Sequence, residues 1–145
     1  MTLRALGDSR VRALAERYAD AIEAGRTDVL VQMLTAEASW AMPPLRTWYQ
    51  GMPAITDFLE NHVFPERWRH ATTRANGQLA VACYTFDPGR SRYVASVVDV
   101  LTLDGARIAA VTGFLTAEML GTTGLEGALS GARIFADLGL QAELD

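Results

Sequence analysis

The chain has 145 residues, half of them apolar, with five prolines, twelve glycines and a net charge of −4. That length suits one domain with a sizeable core, and the composition excludes a disordered chain. The acidic balance argues against a nucleic-acid binder, and the lone Cys83 excludes an internal disulfide or a CxxC redox or metal site. No run of eighteen apolar residues exists, so no membrane span or membrane partner is expected. The first residues, "MTLRALGDSR", lack the apolar core of a secretory signal. A cytoplasmic protein is the expectation.

The first segment, "SRVRALAERYADAIEAG", carries Val11, Leu14, Tyr18, Ala21 and Ile22 at helical spacing. Asp8 or Ser9 would cap its start and Gly25 its end. "TDVLVQMLT" reads as a second helix capped by Thr27, joined to the first as a hairpin. "ASWAMPP" reads as a short strand with Trp40 and Met42 on one face, ended by Pro43 and Pro44. "LRTWYQG" reads as a loop holding Trp48 and Tyr49. Pro53 then opens a helix that turns Ile55, Phe58 and Leu59 inward.

Four strands follow, at about 68–75, 79–86, 93–103 and 107–115. Asn76-Gly77 and Asp104-Gly105 supply hairpin turns, so an antiparallel meander is expected. Gly113 within "AAVTGFLT" suggests a bend or a close approach. The glycines at 121, 124, 127 and 131 weaken any helix there and suggest a mobile segment before a short helix or docking tail. The whole reads as one domain, 1–145, with a C-terminal extension at 116–145 that could form a lid. The class is α+β: N-terminal helices on the concave face of a curved antiparallel sheet, with a cone-shaped pocket.

The strand "YVASVVDVLTL" holds a carboxylate, Asp99, in its most apolar stretch. Strict alternation puts Asp99 on one face with Tyr93, Ala95, Val97, Leu101 and Leu103. A buried, unpaired carboxylate is costly, so it is paired or it keeps its proton. A protonated carboxyl in an apolar pocket donates a hydrogen bond to a developing oxyanion, as in ketosteroid isomerase. The plain alternative is a structural carboxylate paired with an arginine or turn amides. Tyr18 is likewise either a partner in that site or a core tyrosine.

Trp40, Met42, Trp48, Tyr49, Phe58, Val97 and Phe114 are the candidate pocket lining, with Trp48 at the mouth; ordinary core is the alternative. His62 and His70 have no metal-ligand spacing, and no metal or cofactor is expected. His70 reads as an exposed strand histidine, with a general base as the lesser reading. Cys83 reads as a buried apolar residue. Arg67, Arg69 and Arg74 read as solvated charges. Phosphate-loop, nucleophile-elbow and dinucleotide motifs are absent.

In element order and in the stretches "DVLVQMLTAEASWAMPPLRTWYQGMPAITDFL", "TRANGQLAVACY" and "VLTLDGARIAAVTGFL", the chain resembles the nuclear transport factor 2-like superfamily. That superfamily includes ketosteroid isomerases, limonene-epoxide hydrolases and SnoaL-like polyketide cyclases. The nearest resemblance is to the SnoaL-like domain fused to some extracytoplasmic-function sigma factors, including a tail like "IFADLGL". No basic helix-turn-helix of a sigma factor precedes the domain, and "GTTGLEGALSGAR" looks inserted. The resemblance implies that Tyr18 and Asp99 match the oxyanion-hole pair of the isomerases. It puts Met42 where their catalytic base stands. The stretches matching the Asp-Arg-Asp site of the epoxide hydrolases, "LAVACYTF" and "AAVTGFL", hold neither residue.

Two functions are therefore expected. One is a cyclase or isomerase acting on a hydrophobic polyketide- or terpenoid-type intermediate, shaped in the pocket and polarised by Asp99 and Tyr18. The other is a non-catalytic small-molecule-binding or regulatory module. A hydrophobic small molecule is the expected partner in both, and fold analogy implies a homodimer through the outer face of the sheet.

Overall fold

A computed structural model describes residues 8–75, 77–120 and 130–145. Helix α1 spans Asp8–Ala24. Its stripe of Val11, Leu14, Ala15, Tyr18, Ala21 and Ile22 is buried, which is what packs it on the sheet. Ser9 lies inside the first turn, so the residue that would cap α1 falls outside the described residues. Gly25 ends the helix at φ +67°, where a Cβ would be penalised. Helix α2 spans Thr27–Met33 with Arg26 at its N-cap and no side-chain cap. The Thr27 hydroxyl turns instead to Glu60 at 3.4 Å.

Strand β1, Leu34–Ala41, starts earlier than its apolar residues suggest. Its pairing slips between Leu34 and Ser39, and this irregularity hides the alternation at its start. The Pro43–Pro44 peptide just beyond it is cis. The segment expected as a loop contains a short strand, β2, Trp48–Gln50, antiparallel to β1. Helix α3, Met52–Phe58, has Pro53 in its first turn and continues as a π-helical turn, Leu59–Val63.

Strands β3 (Trp68–Ala75), β4 (Gln78–Asp87), β5 (Arg92–Asp104) and β6 (Arg107–Leu115) run antiparallel in succession. Gly77 and Gly105 turn at positive φ, +75° and +63°; Asn76 lies outside the described residues. The order across the sheet is β2-β1-β6-β5-β4-β3. The chain leaves β1, crosses over α3 to the far edge, and returns by hairpins, so β6 meets β1 running parallel to it. The curved sheet expected as antiparallel is thus mixed, though mostly antiparallel.

One irregularity decides what the sheet presents. Cys83 pairs with Val97, but Tyr84 pairs with Ala95, leaving Ser96 as an extra residue in β5. Such a bulge breaks the two-residue alternation. Tyr93 and Ala95 therefore join an outer cluster with Ala80, Ala82, Tyr84, Val98 and Val100. Val97 and Leu101 face the main core with α1. Strict alternation had put Tyr93 and Ala95 beside Asp99.

The C-terminal part holds α4 (Ala117–Leu120), α5 (Gly131–Asp137) and the short β7 (Glu143–Leu144), which pairs with β5. Ser130 caps α5 by accepting from the Arg133 N–H. Phe135 is fully buried against Tyr84, ring centroids 5.0 Å apart and edge to face. The extension thus ends as a docking tail on the outer face. The expected lid falls mainly on 121–129, outside the described residues.

Candidate active site

On the inner face lies a cavity of about 380 Å³, within the usual range of small-molecule sites. Trp40 and Met42 reach it from β1 and just beyond, Tyr49 from β2, Phe58 from α3 and Val97 from β5. Tyr49 stacks on Phe58 at 4.6 Å, and Trp40 meets Phe58 edge-on at 5.7 Å. Five of the seven expected wall residues are thus brought together. The other two, Trp48 and Phe114, are 58% and 44% exposed and are not part of the wall. Alternation explains both, because their neighbours Tyr49 and Leu115 take the cavity side. Met119 and Leu120 of α4 also line the cavity, so the start of the C-terminal extension contributes wall.

Asp99 lies on this wall, 6% exposed. Tyr18, wholly buried, donates its hydroxyl to Asp99 Oδ2 at 2.7 Å. The Cys83 thiol approaches the same oxygen at 3.5 Å. Both donors fall on Oδ2; Oδ1 has no protein partner among the described residues. Gly113 on β6 pairs with Asp99, and a Cβ there would lie 2.8 Å from Oδ1. The glycine in the strand is therefore explained by a side chain above it, the close approach that its position suggested.

Burial pushes the Asp99 carboxyl above the usual carboxylate range, against the Tyr18 hydrogen bond, the His70 ring whenever it is protonated, and the Cys83 contact. Burial, and then the nearness of Asp99, pushes the Tyr18 phenol well up, so it stays a donor. The same two causes raise Cys83, which stays a thiol. Burial thus shifts Asp99 toward the neutral acid, and with Oδ2 taken by donors, Oδ1 is the oxygen left to carry a proton. Tyr18 does not itself reach the cavity wall. It stands behind Asp99 and orients it.

His70 differs from the exposed histidine that its sequence suggested. Its side chain is 2% exposed, with Nδ1 2.9 Å from Glu23 Oε1. Nε2 is buried and without a partner among the described residues. The ring lines the cavity and stacks on Trp68 at 6.1 Å. β3 is an edge strand, but α1 covers its inner side. The signal that marks His70 is its two-residue offset from Trp68, which puts both on one face of β3. Cys83 also lines the cavity, whereas Arg67 and Arg69 lie over the rings of Phe86 and Tyr93. The Arg74 side chain is outside the described residues. His62 lines the cavity's outer part beside Phe58. Among the described residues, no three His, Cys, Asp or Glu side chains are grouped to hold a metal ion. No helix among them is long and apolar enough to cross a membrane.

Residues 15–111 match the SnoaL-like domain family. A domain of this kind is an open, curved sheet with helices on one side, and the chain belongs to that family. It is 34% identical over 119 residues to the ECF RNA polymerase sigma factor SigG of Mycobacterium tuberculosis, a match covering 80% of this chain and 32% of that protein. The chain therefore spans about a third of the length of this curated relative. Two solved enzymes share the fold. One is the Δ5-3-ketosteroid isomerase of a Mycobacterium species, with a TM-score of 0.56 and 16% identity, covering 76% of this chain and 95% of that one. The other is SalBIII, an epoxide hydrolase/cyclase-like enzyme of pyran ring formation in the polyether salinomycin. It has a TM-score of 0.61 and 21% identity, covering 76% of this chain and 93% of that one.

Proposed function

We propose that the protein is a SnoaL-like cyclase or isomerase that polarises a carbonyl of a hydrophobic polyketide- or terpenoid-type intermediate. One observation carries this reading: the 2.7 Å bond from Tyr18 to Asp99 Oδ2 beside an apolar cavity, which leaves Oδ1 for a ligand. The protonated Oδ1 donates to the carbonyl oxygen, and the bond strengthens as negative charge develops there. Tyr18 holds the carboxyl in that orientation. The aromatic walls exclude water and fold the chain of the substrate so that its reacting carbons meet.

The probe for this site is 2-naphthol, a stable mimic of an enol, titrated by its fluorescence. Asp99→Ala is expected to weaken binding about twofold to tenfold, the worth of a hydrogen bond between neutral groups. Asp99→Asn, which keeps a weaker N–H donor, loses less. Naphthalene, which has no hydroxyl, binds both variants as it binds the native protein. A folded Asp99→Ala variant with native affinity for 2-naphthol overturns the reading.

A second reading is a non-catalytic module that binds a small molecule and regulates a partner. It is favoured by the similarity to part of a sigma factor, and by Met42 on the wall at the position that the resemblance to ketosteroid isomerases assigns to the base. Under this reading 2-naphthol binds through Asp99 and enolisable ketones are bound but not turned over.

A further inference from the structure

With Met42 on the wall and Asp99 read as the acid, no second carboxyl stands among the described residues that line the cavity, and His70 is the group that remains. We infer that His70, held by Glu23, is the proton-transfer base of this cavity, removing a proton from the carbon next to the carbonyl that Asp99 polarises. The inference rests on the reading of Asp99 given above and names a substrate class for it: hydrophobic, enolisable ketones.

Three observations carry it. The first is the unpartnered Nε2. A buried ring nitrogen without a hydrogen bond costs free energy; His70 lines the cavity, so a turn of its ring toward a bound ligand would give Nε2 the partner it lacks among the described residues. The second is the Glu23 contact. A carboxylate only accepts, so the proton of a neutral His70 ring lies on Nδ1 and the lone pair on Nε2. The same carboxylate stabilises the imidazolium that forms when Nε2 takes a proton. The third is position. His70 on β3 pairs with Cys83 on β4, which pairs with Val97 on β5, two residues before Asp99. Base and acid thus stand on one inner face, two strands across and two residues along, or about 12 Å of backbone apart. An enolisable ketone with a hydrogen-bond contact at each end spans that gap.

The other titratable groups on the wall fit the role less well. Cys83 stays a thiol, Tyr49 is stacked on Phe58, and His62 is exposed toward the cavity's outer part. The step balances within the site. The C–H electron pair becomes the carbon–carbon π bond of the enol, and the carbonyl π pair moves to oxygen, which takes the hydrogen bond or the proton of Oδ1. Nε2 holds the abstracted proton. Returning it to a different carbon moves a double bond; alternatively, the nucleophilic carbon closes a ring on a second carbonyl.

The test uses the full chain and two probes. Exchange of the α-protons of 2-tetralone with D₂O, followed by NMR, reads the base; 2-naphthol affinity reads the acid and the integrity of the pocket. His70→Gln is expected to lower protein-dependent exchange about a hundredfold or more while 2-naphthol affinity stays within about twofold. His70→Ala behaves alike, and added imidazole restores part of its exchange, which a purely structural role does not permit. Glu23→Gln keeps the ring and serves if the His70 variants do not fold. Its exchange falls about tenfold with affinity intact. Native exchange rates in the His70 and Glu23 variants overturn the inference, as does a native protein that binds 2-naphthol through Asp99 yet exchanges no faster than His70→Ala. In both cases Asp99 still polarises a ligand. Failure of the Asp99 reading is distinct, because Asp99→Ala then binds 2-naphthol as the native protein does.

Discussion

Asp99 places a titratable group, Tyr18 at 2.7 Å and a buried strand in one small volume. Its carboxyl is raised in the folded state, chiefly by burial. A raised carboxyl contributes stability that is fully present below the unfolded value, about 3.9, and lost as pH climbs through the folded value. Asparagine fills the same space without a charge and still accepts from Tyr18. Thermal denaturation of the native protein and of Asp99→Asn between about pH 4 and pH 8 is expected to show the gap moving in favour of the variant as pH rises. It levels off once the native carboxyl is ionised. A gap that moves the other way would mean that Tyr18, His70 and Cys83 together outweigh burial.

At the scale of elements, the outer face is closed by a helix that starts on a glycine. A Cβ on Gly131 would lie 2.6 Å from the Ala95 carbonyl oxygen and 2.9 Å from its Cβ, while the Gly131 N–H donates to Glu118 at 2.7 Å. Gly131→Ala therefore pushes α5 from β5. The expected cost in urea denaturation is about 1–3 kcal/mol, as for other overpacked contacts. Its 2-naphthol affinity stays native, because α5 packs on the face away from the cavity.

The order of elements is legible in the chain. Helical spacing in 11–22, prolines at 43, 44 and 53, and Gly77 and Gly105 at the turns mark each element by local chemistry. Tyr18 and Asp99 are legible as a pair only through the family resemblance, and the structure brings them into contact across 81 residues. Three features are not local and were not legible. The parallel join of β1 to β6 depends on the crossover, the bulge at Ser96 on how β4 meets β5, and the burial of His70 on Glu23, 47 residues away.

For the whole molecule, α5 covers the β4–β5 end of the outer face, and Trp48 and Phe114 stand exposed toward the other end, on β2 and β6. We propose that two copies of the chain meet there, as fold analogy implies. Light scattering after size exclusion is expected to give a dimer, and Phe114→Arg a monomer. A native monomer at tens of micromolar would contradict the proposal.

The extra residue at Ser96 has a consequence for descent as well as for geometry. Its hydroxyl lies 2.6 Å from that of Thr85 and donates to the Val94 carbonyl; its own carbonyl accepts from Thr116. None of these bonds touches the cavity. Yet the bulge sets the phase of the rest of the strand, so odd-numbered side chains before it serve the outer cluster and odd-numbered ones after it serve the cavity. A relative lacking this one residue would join Ala95 directly to Val97 and keep the same pairings, Ala95 with Tyr84 and Val97 with Cys83, so its carboxylate would still face the cavity. The bulge thus lets the strand carry one residue more while both of its halves keep their faces.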